Sequence, residues 1–131
     1  MVVKAFYVCR KKRGGRNQQG VIVVRGRGGG FKQKTRVVDL YQNLYDVRGR
    51  ILFIFYDPTR NAKLGLVFYD IGCVSLVLLP SLIKKDDYIL SSKDKILKIR
   101  PGNSMPLKHI PLGTTVFNIE SFYGSGGSYV R

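Results

Sequence analysis

The chain has 131 residues, room for one domain with a real core, or for one domain and part of another. A hydrophobic content of 44% and a mean hydropathy of −0.06 exclude wholesale disorder. The net charge of +15 is uneven, because residues 1–36 carry 11 basic and no acidic groups whereas residues 37–131 carry 12 basic and 8 acidic. A basic arm on a less charged body is the electrostatic footprint of a nucleic-acid binder.

Residues 1–13 form that arm and end in Arg10, Lys11, Lys12 and Arg13. So dense a cationic run is expected to stay disordered without a partner. Anionic membrane surfaces would also attract it, but Arg10–Arg16 offers no apolar face for an interfacial helix. Next comes the stretch around which the chain is organised, Gly14–Arg36, with Arg16, Arg25, Arg27, Lys32, Lys34 and Arg36 and no acid. Its apolar run Val21–Val24 predicts a first strand over Val21–Arg25. Gly28, Gly29 and Gly30 permit close approach of the main chain to something bulky, with N–H groups free to face it. Among so many cations, phosphate-rich RNA or DNA fits that description, and a flexible cationic turn without a partner is the alternative. Asn17 and Gln18 add groups able to hydrogen-bond sugars or base edges.

Short β-rich runs then recur with turn signals between them. Thr35–Leu40 predicts a second strand, Arg50–Tyr56 a third, and Leu64–Tyr69 and Val74–Leu79 a hairpin turning at Asp70-Ile71-Gly72. Asp57-Pro58 starts a turn and Pro80 stops the fifth strand. Five strands with a basic glycine-rich loop after the first predict an all-β fold, a five-stranded Greek-key barrel of the oligonucleotide-binding (OB) type. Phe53, Phe55, Tyr56, Phe68 and Tyr69 could stack bases, but alternation assigns half of them to the core, Phe53 and Phe55 first. Beyond Pro80, Tyr88–Leu90, Ile96–Ile99 and Thr114–Ile119 are further strand-like runs. Leu64–Ile83 is apolar enough to raise a membrane span, yet Asp70, Gly72 and Pro80 break it into two strands, so no membrane insertion is expected.

Catalytic chemistry is thin. The acids sit mostly at turns, and the one histidine, His109, has no nucleophile or carboxylate beside it. Cys9 and Cys73 lie far apart without a CxxC, so neither a metal site nor a disulfide is expected. Gly26-Arg27-Gly28-Gly29-Gly30-Phe31 fails the dinucleotide fingerprint at Phe31. No cofactor, metal or catalytic residue is assigned, and an enzyme is not expected. The cations Lys84, Lys85, Lys93, Lys95 and Lys98 interleave with Asp86, Asp87 and Asp94 and read as a solvated face.

Four blocks carry a resemblance beyond composition: GGRNQQGVIVVRGRGGGFKQKTRVVDL, YDPTRNAKLGLVFY, KIRPGNSMPLKHIPLGTTVFNIE and a glycine-rich tail, in one order and spacing. Together they resemble the family of large-subunit ribosomal protein two, which packs against the RNA of the peptidyl-transferase centre. The resemblance implies an OB barrel over 14–99 and an SH3-like barrel begun over 100–131. It also implies that the chain supports assembly and geometry of the peptidyl-transferase region while the RNA does the chemistry. The implied partners are large-subunit ribosomal RNA and neighbouring ribosomal proteins. The RNA-binding set expected on both grounds is Arg10, Lys11, Lys12, Arg13, Arg16, Asn17, Gln18, Arg25, Arg27, Gly28, Gly29, Gly30, Lys32, Lys34 and Arg36, with Arg60, Lys108 and His109 from the body.

Departures from the family pattern are Gly26, Phe31 and Phe117 where histidines are usual, and Gly124-Ser125-Gly126-Gly127 in place of Gly-Lys-Gly-Gly. The sequence stops at Arg131 within the family's Leu-Ala-Arg stretch, which suggests either a truncated chain or a separate C-terminal polypeptide completing the SH3-like domain. Richness in Phe, Tyr, Ile and Leu without Trp suggests an A/T-rich organellar gene and a mitochondrial ribosome, with a plastid ribosome as the alternative. The rival reading is a free OB-fold protein that binds single-stranded nucleic acid.

Overall fold

A computed structural model describes residues 5–9, 11–31 and 33–130. Among them the regular structure is almost wholly strand, in three antiparallel sheets. β1 (Tyr7–Cys9) pairs with β2 (Lys34–Arg36). A four-stranded sheet follows, made of β3 (Arg48–Phe55), β4 (Lys63–Tyr69), β5 (Val74–Leu79) and β6 (Tyr88–Leu90) in the order β5-β4-β3-β6. Near the end, β7 (Ile119–Glu120) pairs with β8 (Gly127–Tyr129). A 3-10 turn spans Leu107–His109. No helix among the described residues is long and apolar enough to cross a membrane.

The β4–β5 hairpin forms at the expected residues. Tyr69 N–H donates to Cys73 O at 2.9 Å and Gly72 N–H to Tyr69 O at 2.8 Å, with Gly72 at φ +88°. The apolar density that raised a membrane span belongs to this hairpin, where Leu64, Gly65, Leu66 and Val67 are buried in succession. Burial without alternation means that both faces of β4 are covered. Ile51, Val67, Tyr69, Val77, Leu79, Ile83 and Ile89 form the core on one face. Leu64, Leu66, Leu76 and Leu78 are buried as well. A side chain at Gly65 would stand 2.6 Å from Leu79 Cδ1 and would have to displace that buried leucine.

β3 corrects the assignment of Phe53 to the core. The register steps from Ile51 opposite Val67 to Phe53 opposite Leu66, leaving Leu52 as the extra residue of a β-bulge. One added residue reverses the parity of all that follows. Ile51 is fully buried, whereas Phe53 is 53% exposed, Phe55 is half-buried and Tyr56 is exposed.

The second expected strand, Thr35–Leu40, forms a ladder only over Lys34–Arg36. Beyond it the chain crosses from one sheet edge to the other. Asp39 N–H donates to Leu76 O on β5 at 2.7 Å, and Asp46 N–H to Ser91 O, just past β6, at 2.8 Å. The C-terminal hairpin leans on this crossing segment, with Gly127 N–H donating to Leu40 O at 3.0 Å.

Three sequence expectations are revised. Val21–Arg25 is not a strand; one isolated bridge, Arg16 to Ile22, is all the pairing it makes. Ile96–Ile99 is irregular, and of Thr114–Ile119 only Ile119 enters a ladder. Within the arm, Tyr7–Cys9 lies in register with Lys34–Arg36.

Candidate nucleic-acid interface

The glycine-rich stretch folds as a loop held by its own backbone. Asn17 Oδ1 accepts from the N–H groups of Gln19 and Val21, both at 3.0 Å, while Asn17 N–H donates to Val21 O at 3.0 Å. This is the side-chain-to-backbone turn that asparagine favours. Gly15 O accepts from Val23 and Val24 N–H at 2.9 and 3.0 Å. Gly15 is at φ +69°, and a Cβ there would lie 2.1 Å from Val24 O, so only glycine lets the two limbs meet. Lys12 Nζ donates to Gly29 O at 3.2 Å and to Phe31 O. That ammonium clamps the far limb of the loop.

The result is an open groove of about 590 Å³ lined by residues of 14–29, among them Arg16, Arg25 and Arg27. Arg25, Arg27, Arg16, Arg13 and Lys11 are exposed and have no ion-pair partner among the described residues. Gly28, Gly29 and Gly30 leave the adjoining backbone bare, with Gly29 and Gly30 at φ +68° and +72°. Gln18 is exposed beside them. Lys34 is exposed on β2 with Nζ 5.7 Å from the Tyr7 ring centroid. Arg10 and Lys32 lie outside the described residues.

Arg36 and Arg60 are placed differently from the loop cations. Both turn to Asp57, which is fully buried: Arg60 Nε sits 2.9 Å from Oδ2 and Arg36 Nη1 3.4 Å from Oδ1. Thr59 Oγ1 donates to Asp57 Oδ2 at 2.9 Å. Arg36 also donates from Nη2 to the Tyr7 hydroxyl at 3.3 Å, with its guanidinium 5.1 Å from that ring's centroid. Arg36 thus fastens the arm and β2 to the sheet, while Arg60 holds Asp57 from within the same turn. Lys108 and His109 occupy the 3-10 turn; His109 Nδ1 is buried without a hydrogen bond, and neither residue lines the groove.

A second cationic concavity escaped sequence reasoning. About 420 Å³ in volume, it runs along the β6 edge and is lined by Arg48, Tyr88, Lys98 and Arg100 among others. Arg48 Cζ lies 5.2 Å from the Tyr88 ring centroid. The pairing of β3 with β6 brings these side chains together across forty positions of sequence, and no local pattern announces it. Of the expected solvated face, Lys95 pairs with Asp46 at 2.8 Å, and Asp86 pairs instead with Arg50 at 2.8 Å. Among the described residues no three His, Cys, Asp or Glu side chains converge to hold a metal.

Comparison with known proteins relates the sequence to one family. A family model described as "Ribosomal Proteins L2, RNA binding N-terminal domain" matches residues 3–91. Large ribosomal subunit protein uL2 of Agrobacterium fabrum (strain C58 / ATCC 33970) is 40% identical over 129 residues, covering 98% of this chain and 46% of that protein. The chain therefore spans about half the length of that relative. The family match takes in the glycine-rich loop and the four-stranded sheet together, and the chain belongs to the ribosomal protein L2 family.

Proposed function

We propose that the chain is a structural, non-catalytic component of the large ribosomal subunit that binds large-subunit ribosomal RNA through the 11–31 loop. The carrying observation is the set of exposed cations, Lys11, Arg13, Arg16, Arg25 and Arg27, on a backbone fixed by Asn17, Gly15 and Lys12 and facing no acid. Such a surface meets a phosphate backbone without first breaking internal ion pairs. Gly28–Gly30 would lie against the RNA without steric cost, and Gln18 with the Asn17 amide nitrogen would reach sugars or base edges. Lys34, Lys108 and His109 would add contacts from the flanks, and neighbouring ribosomal proteins would meet the remaining surface.

In this reading the protein supports the geometry of the peptidyl-transferase region, and the ribosome is mitochondrial. The organellar part is supported by composition, with 7 Phe, 8 Tyr and no Trp in the chain. Mass spectrometry of large subunits purified from mitochondria of cells carrying the gene tests it. The chain is expected in the subunit at one copy per particle. Its confinement to the ribosome-free fraction would overturn the proposal and favour an independent single-strand binder. That second reading draws on the exposed aromatics Phe53, Tyr56 and Phe68.

A further inference from the structure

The loop 14–31 carries a feature that phosphate binding leaves unexplained. Val21, Ile22, Val23 and Val24 are 59%, 54%, 67% and 48% exposed, and Phe31 is 91% exposed. A run of four β-branched residues would ordinarily be buried, and here the backbone that carries it is fastened, so its side chains are held outward. Gly15 O fixes the N–H groups of Val23 and Val24, and the Lys12 ammonium fixes Phe31 through its carbonyl. Apolar and cationic side chains meet in one groove, where Val21, Ile22 and Val24 line the wall with Arg16, Arg25 and Arg27, and Phe31 follows two residues beyond its last glycine.

We propose that this apolar set seats unstacked bases of a non-helical RNA segment, with Phe31 as the stacking platform and Val21–Val24 as the floor. The inference rests on the RNA-binding reading above and specifies which RNA the loop takes. A ligand for this surface must be polyanionic and must also present flat apolar faces. A regular RNA duplex meets the first requirement alone, because its bases are stacked inward and its shallow groove shows hydroxyls and base edges. A loop or bulge meets both, since its bases are splayed outward and free to stack on an aromatic ring.

The test uses the 131-residue chain and two RNA probes of equal length: a large-subunit rRNA hairpin with an unpaired internal loop, and the same hairpin made fully paired. Replacing Phe31 by alanine should weaken binding to the looped RNA by about 5- to 150-fold, the range for loss of one stacked base. The slope of log K against log salt should not change, because no phosphate contact is lost. Phe31→Tyr should retain affinity, Val23→Ser should weaken it to a smaller degree, and none of the three should alter binding to the paired RNA. Phe31 is almost fully exposed, so the variants keep the fold, which circular dichroism verifies. Equal effects on both RNAs, or none on either, would overturn the inference while leaving the RNA-binding reading intact. Failure of the unsubstituted chain to bind either probe would overturn both.

Discussion

Asp57 and Gly15 show how single residues fix the surface that faces outward. Asp57 has no solvent exposure and holds two guanidinium groups and the Thr59 hydroxyl. Replacing it with alanine leaves Arg36 and Arg60 without a counter-charge in a largely buried setting. Breaking a buried pair from one side costs about 3–5 kcal/mol. Since Arg36 and Arg60 keep side-chain exposures of 12% and 26%, a loss near the lower end, about 3 kcal/mol, is expected in urea unfolding. Gly15→Ala acts elsewhere. Its Cβ would collide with Val24 O, so the loop must open, yet the loop contributes no side chain to the core. The expected outcome is faster protease cleavage within 14–31, with a melting temperature close to that of the unaltered chain.

At the scale of elements, the bulge in β3 decides which aromatics are core. Ile51→Ala should cost about 2–5 kcal/mol, the usual range for a large aliphatic side chain deleted from a core. Phe53→Ala, on the far side of Leu52 and half in solvent, should cost about 1 kcal/mol or less by the same denaturation measurement. Reversal of that order would contradict the register. The join between the crossing segment and the C-terminal hairpin gives a pH test. The Tyr45 and Tyr123 hydroxyls share a hydrogen bond at 3.2 Å, and that bond, which holds the neutral Tyr45 phenol, followed by burial, pushes it up to about 12. A raised phenol favours the neutral form in the fold. Its contribution is therefore whole below about pH 10, the unfolded value, and is lost as pH climbs through about 12. Tyr45→Phe should abolish that alkaline loss in an unfolding profile against pH.

These elements also mark what could be read from sequence. The β4–β5 hairpin was legible because its apolar runs, Asp-Ile-Gly turn and closing proline are all local. Leu52 as a bulge was not, since the extra residue exists only relative to Leu66 and Val67 on the partner strand. Val21–Val24 misled for a related reason. Strand propensity describes a fit to a pleated, half-buried surface, and no neighbouring strand supplies one there. The loop cations were legible from the absence of acids in residues 1–36, whereas the roles of Arg36 and Arg60 depend on a buried carboxylate that looked like an ordinary turn aspartate.

On the scale of the whole molecule, the charge separates by function. Each carboxylate that forms an ion pair among the described residues, Asp46, Asp57 and Asp86, belongs to the body, leaving the loop's positive potential undiminished. The proposed RNA contact assigns that potential to large-subunit ribosomal RNA, in keeping with membership of the L2 family. The most direct test is the salt dependence of binding to a large-subunit rRNA fragment, measured for the unaltered chain and for the Arg25→Ala/Arg27→Ala variant. Each phosphate contact contributes about −0.7 to −0.9 to the slope of log K against log salt. The account predicts weaker binding and a slope flatter by about two units in the variant. An unchanged affinity and slope would contradict it, showing that the glycine loop is not where the chain meets RNA.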